Sequence, residues 1–355
     1  MTATTQSDSV VPIIAHGRAP ARVAVAQVGL FLLLVLAVAW WVPNQFGAKW
    51  VSTWTTTLVF AMAAAGIGFL YSRLGLASLA QVALVGVGGW VALRLEFGTG
   101  LPFFVIVLLS ATITAGIGAL LSLPALRLRG LYLTVMTLMM AAGFDEIFNA
   151  TGFPNGGSGF LGYQASGELQ RMNRPSIAES DAAYFRLVLV VAVVMFAFVW
   201  LHERTKPGRA WHLIAQSEGA AYSSGIDVVM YKTWAFVLAA FLSGVAGAMF
   251  AGQLGQLGPS SFETIDSLIL FALVLVGGAY HWTGWLIGAV LFKAFPAFLD
   301  DRGLSGDIAT MIAGAAAIVN LIAAPRGIVG EVMKASAGLR GRRRRGARDD
   351  TGVEE

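Results

Sequence analysis

Five polar positions stand out within otherwise apolar runs. Ser78 and Gln81 lie in GLASLAQVALVGVGGW (75–90), and Asp145 and Glu146 in TLMMAAGFDEIFN (137–149). Glu218 lies between two runs, in QSEGAAYSSGID (216–227). A polar group in lipid is costly, so each marks a route for a polar solute or a bond between helices. Ser78 and Gln81 are three apart, which places them on one face if the whole segment is helical. Asp145 and Glu146 fall toward the end of their run, where they line or gate a polar path or sit at headgroup level. Lys293 either extends its stem to the surface or pairs with an acid such as Asp300. No catalytic or metal-binding set is evident in the sequence. The histidines (His16, His202, His212, His281) lack HExxH spacing, and the chain has no Cys for a thiolate site or disulfide. It also has no GxxxxGK[ST] loop, so it does not hydrolyse ATP by that route and no cofactor is expected on it.

These residues need a membrane scaffold. Of 355 residues, 57% are hydrophobic and 12% charged, against about 25% charged in soluble domains. Spans need roughly 20 apolar residues. Candidates fall at 22–43, 51–71, 76–95, 101–122, 131–149, 183–201, 232–252, 266–279, 284–299 and 307–324. The expected class is an all-α integral membrane protein of about ten segments. The eighth and ninth are short and separated by GGAY, so eight spans plus a re-entrant hairpin at 266–299 is the alternative. With the N-terminus inside, seventeen of the 24 Lys and Arg fall on the cytoplasmic side, including Arg73, Arg204, Lys206, Arg209 and Lys232. Six fall outside, and the asymmetry places both termini in the cytoplasm. Segments two to five and seven to ten start on opposite sides, which permits an inverted repeat. Small residues such as GVGG at 86–89 are read as helix packing.

The expected organisation is a cytoplasmic tail (1–21), a transmembrane domain (22–324) and a basic cytoplasmic tail (325–355). The net charge of +4 owes much to that last tail, a feature for anionic lipid or topology rather than nucleic acid. An external loop covers 150–182 and a cytoplasmic loop 202–231. In the latter, Pro207 suits a helix start, and Trp211, Ile214, Ala215 and Tyr222 form one apolar stripe at helical spacing. Gly225 suits a left-handed cap and Asp227 an N-cap for the next span. The loop therefore reads as a short amphipathic helix, a tight turn and a new span.

SEGAAYSSGI (217–226) resembles the EAA-type coupling loop of ABC importer permeases, in the variant of the branched-chain amino-acid LivH/LivM group. That pattern runs Glu-x-Ala-Ala-x-x-x-Gly-Ile, matched by Glu218, Ala220, Ala221, Gly225 and Ile226. PALRLRGLYLTVMTL (124–138), PNGG (154–157), YKTWAFVLAAFLSGVAGAMFA (231–251) and GLASLAQVALVGVGGW also resemble the group, in order, and favour its LivM side. Departures include Gly219 within the loop and Gln81, where members often carry His. The resemblance implies an importer subunit in a prokaryotic plasma membrane. It would work with a second, LivH-like permease, two cytoplasmic ATPases that hydrolyse ATP, and an extracytoplasmic solute-binding protein. It further implies that Glu218, Ala220, Ala221 and Gly225 receive the ATPase. Ser78, Gln81 and Glu146 are the candidates for the translocation path. Branched-chain or other amino acids, urea and short amides are the implied substrates. A sugar-type ABC permease and an ion-coupled secondary transporter are the competing readings.

Overall fold

The computed structural model describes residues 21–125, 130–155 and 170–303, with further positions between 308 and 333. Regular structure among these is helical. The chain divides into two compact units, 1–45 and 46–355. The first contains α1 (Ala21–Gln45), which covers the expected first segment.

In the second unit the helices are α2 (Ala48–Leu74), α3 (Gln81–Thr99), α4 (Phe103–Ala125), α5 (Leu131–Thr151) and α6 (Asp181–Arg204). Two short helices follow, α7 (Lys206–Gln216) and α8 (Glu218–Ser223), then α9 (Val228–Leu254) and α10 (Thr264–Gly277). They are followed by α11 (Trp282–Ala289), a π-helical turn (Val290–Ala294) and α12 (Phe295–Asp300). Eight stretches among the described residues are long and apolar enough to cross a membrane. They are α2 to α6, α9, the stretch 259–277 containing α10, and the stretch 282–300. The expected tenth segment, 307–324, lies outside the described residues apart from isolated positions, as do most of the tails and residues 156–169 of the 150–182 loop.

α9 is enclosed by α2, α3 and α4. Small residues make this possible, because lipid tails do not drive apolar helices together and close backbone approach must. A Cβ on Gly88 would lie 2.7 Å from the Gly244 Cα, and one on Gly244 would lie 2.7 Å from the Ala111 Cα. GVGG thus packs helices, as its sequence context suggests. Ser110 adds a hydroxyl bond to the Gly88 carbonyl at 2.5 Å.

Polar contacts tie helix ends together in two groups. At one end Lys49 bonds Asp300 (3.3 Å) and Asp301 (2.5 Å), and Gln253 donates to the Ser52 carbonyl (2.9 Å). Asn155 and Leu257 exchange two bonds, and Arg174 donates to the Gln253 carbonyl at 2.8 Å. At the other end Arg73 grips Glu203 through two bonds of 2.8 and 2.9 Å. Tyr71 packs there against Tyr280, with ring centres 6.2 Å apart. α10 starts beside Asp145 in the Lys49 group and reaches Tyr280 in the Arg73 group; α11 to α12 returns to Lys49. Each arm therefore runs between these two groups of contacts.

The third segment departs from its expected bounds. Residues 75–80 are not helical, and α3 begins at Gln81. α2 ends when Gly75 and Leu76 donate back to the Tyr71 and Leu70 carbonyls, a C-cap that turns the chain out of the helix. Leu79 N–H then bonds the Thr137 hydroxyl at 3.0 Å, holding the non-helical stretch against α5. Ser78 and Gln81 consequently do not share a helical face.

Candidate coupling site

The 202–231 loop folds as two helices broken at Ser217. α7 starts with Pro207 in its first turn, where the missing N–H costs nothing. Its buried residues are Ala210, Trp211 and Ile214. Trp211 is the anchor. Its indole meets Phe69 of α2 edge-on at 4.8 Å, and its Nε1 donates to the Tyr231 carbonyl of α9 at 2.8 Å. A residue on the loop is thus fixed to two central spans.

Ser217 is extended (φ −162°), and its hydroxyl accepts the Ala220 N–H at 3.2 Å. This starts α8 in a new direction. The single stripe expected from sequence is therefore broken: Ala215 and Tyr222 face outward while Ala221 is buried. α8 closes at Gly225, whose φ of 77° is the left-handed conformation that residues with a Cβ avoid. The Ile226 N–H returns to the Ala221 carbonyl at 3.0 Å, and Asp227 caps α9 by accepting the Met230 N–H at 3.0 Å.

Glu218 lies in the first turn of α8 and bonds Lys232 of α9 at 2.5 Å. The Lys232 side chain is 9% exposed and that of Glu218 30%. This charge-assisted bond fastens α8 to α9. Lys232 was not singled out from the sequence, although a lysine one turn into a span needs a partner. Around the pair, Ala220 is exposed, and Leu213, Tyr222, Val229 and Met230 present apolar surface outward.

The path candidates separate. Ser78 is buried and lines a space of about 10 Å³ with Ser122 and Thr137. Gln81 turns to α9, where its Oε1 accepts from Ser243 at 2.6 Å, while its Nε2 is buried without a partner among the described residues. Glu146 is exposed on α5. Asp145 instead caps α10 from outside it, accepting the N–H and hydroxyl of Thr264, both at 2.9 Å. Beside it an open cleft of about 400 Å³ is lined by Asn149, Ser260 and Glu263. Lys293 does not pair with Asp300, which Lys49 holds. Its ammonium lies over the Phe60 and Phe292 rings at 4.6 and 4.2 Å.

A multi-span helical body with a separate two-helix element clamped to its central spans is the layout of a membrane transport subunit. The family profile described as "Branched-chain amino acid transport system / permease component" matches residues 49–321, and the chain belongs to this family. It is thus a multi-pass permease component of an ABC transport system, not an enzyme. It is similar to the high-affinity branched-chain amino acid transport system permease protein LivM of Salmonella typhimurium, 28% identical over 84% of this chain and 74% of that one. LivM of Escherichia coli shows the same identity and coverage. The ribose import permease protein RbsC of Bacillus subtilis is 32% identical over 39% of this chain and 45% of its own. No solved structure matches the chain.

Proposed function

We propose that this chain is one of two permease halves of a bacterial amino-acid importer. α7 and α8 receive the motion of cytoplasmic ATPases. The observation that carries the reading is the clamped coupling element. Trp211 and the Glu218–Lys232 bond fix it to α2 and α9, while Ala220, Tyr222 and Leu213 remain exposed for a partner. A push on such an element moves the spans instead of bending a loop.

The Arg73 end carries Arg204, Lys206, Arg209 and the coupling helices, so it is the cytoplasmic side. The Lys49 end, with the Asp145 cleft, faces the solute-binding protein. The 259–277 and 282–300 stretches then both span. α2 and α9 have 27 residues each and begin on opposite sides, which supports an inverted repeat with these as corresponding first members. α5 is among the less enclosed spans, and we place the second permease against its Glu146 face, where lipid would be costly. The solute passes along that boundary. Gln81 and Ser243 then serve as packing, and Ser78 borders a space too small for a solute.

Branched-chain amino acids are the favoured substrates, because the LivM relatives cover most of the chain. The ribose permease match, over less of the chain, keeps a sugar-type importer as the second reading. The test is ATP-dependent uptake by the reconstituted complex with leucine, urea and ribose in competition. Leucine dominance supports the proposal. Ribose dominance establishes the second reading, and uptake without any ATPase would refute both.

A further inference from the structure

α6 leaves one face uncovered. Val190, Val194, Ala197 and Leu201 are exposed along it, at the spacing of a single helical stripe. None carries a polar side chain, so the stripe suits acyl chains, unlike α5 with its exposed Glu146. Exposed arginines bound the stripe, Arg186 at one end and Arg204 at the other. From Arg186 to Arg204 the helix rises about 27 Å, close to the roughly 30 Å of a hydrocarbon core. Arg204 therefore sits at headgroup depth.

At that end the chain turns sharply. A Cβ on Gly208 would collide with the Glu203 carbonyl, so the first turn of α7 lies directly against the last turn of α6. This close approach gathers Arg204, Lys206 and Arg209 at one corner, all of them exposed. Glu203, the acid beside them, is taken by Arg73 through two bonds of 2.8 and 2.9 Å. Among the described residues none of the three cations forms an ion pair. Arg204 is nevertheless held in place. Its guanidinium lies over the ring of Trp200, one helical turn earlier, at 4.3 Å. Stacking occupies a face of the guanidinium and leaves its N–H edge for a phosphate, which it grips as a fork. Trp200 is itself exposed, as indoles at a bilayer interface are.

We propose that Arg204, Lys206 and Arg209 bind the headgroup of an anionic phospholipid in the cytoplasmic leaflet, with its acyl chains along the 190–201 stripe. The lipid holds the start of α7 at the membrane surface and so regulates how the coupling helices are seated. The inference rests on the permease reading above for its orientation and for the role of α7, and adds a lipid ligand to that element.

The test uses the complete complex in nanodiscs of phosphatidylcholine mixed with phosphatidylglycerol, with retained lipid counted by native mass spectrometry. Each basic residue near an anionic surface adds about fivefold in affinity, so the wild type should prefer phosphatidylglycerol by about tenfold or more. Arg204→Gln, Lys206→Gln and Arg209→Gln combined should lose this bound lipid. ATP-dependent leucine uptake by that variant should fall to the level of the wild type in pure phosphatidylcholine proteoliposomes. No preference in the wild type, a result that needs no variant, overturns the proposal. So does unchanged lipid retention by the triple variant, which puts the lipid elsewhere. Displacement of the lipid by inorganic phosphate would make the corner a free-anion site. Loss of the ATPases from the triple variant, with the lipid retained, would make it a protein contact. Either result overturns the proposal. A wild-type complex that holds the lipid but takes up no leucine would support the lipid site while removing the amino-acid permease reading.

Discussion

Removing Glu218 should strand Lys232. The lysine side chain is 9% exposed, and its ammonium meets the Glu218 carboxylate at 2.5 Å. A hydrogen bond to a charged group contributes about 1.5–3 kcal/mol. Because Glu218 is 30% exposed, solvent screens part of this, and about 2 kcal/mol is a reasonable figure. That corresponds to roughly a 30-fold shift against the seated position of α8. Glu218→Ala should therefore reduce ATP-dependent uptake by about 10- to 30-fold in proteoliposomes, while the protein still inserts. The informative comparison is Glu218→Ala combined with Lys232→Met. That double variant leaves no stranded charge, and it should regain most of the lost uptake. If it remains as impaired as Glu218→Ala, with assembly intact, then Glu218 works by touching the ATPase and the positioning argument fails. Wild-type uptake by Glu218→Ala would remove both roles.

Trp211 and Tyr222 should behave oppositely. Trp211→Ala empties a fully buried site and should cost about 3–5 kcal/mol, read as a lower Tm in detergent, whereas exposed Tyr222→Ala should leave Tm unchanged but weaken ATPase copurification. Gly88→Val would force a side chain into the Gly244 backbone 2.7 Å away, so folded yield in the membrane should fall sharply. His281 caps α11 by accepting the Thr283 N–H at 3.3 Å, and burial holds its pKa below the ordinary 6.5. Its neutral form belongs to the folded state, so this contribution is complete above about pH 6.5 and is lost as the pH falls below that. Thermal unfolding at pH 7.5 and 5.5 should show the loss in the wild type and a smaller one in His281→Gln.

Hydrophobic runs near the length a bilayer needs made the spans legible, and periodicity with Pro207, Gly225 and Asp227 made the helical loop between α6 and α9 legible. Both signals are local: a run of apolar side chains, or a cap satisfied within a few residues. The break at Ser217 was written as a cap signature but outweighed by an apolar stripe that continued through it. The start of α3 at Gln81, rather than at 76, was hidden because the non-helical stretch before it is as apolar as a helix.

What the sequence determined by itself is a helical, membrane-crossing chain with a short capped helical loop between two spans, because lipid and helix caps act on short segments; the likeness to ABC permeases lay in its motifs. What only the tertiary structure decided is which distant groups meet. It joined Glu218 to Lys232, Trp211 to Phe69, Asp145 to Thr264 and Lys293 to the Phe60 ring. Such meetings depend on helix rotation and crossing, which small residues and one π turn set through packing, and packing leaves little trace along a single chain.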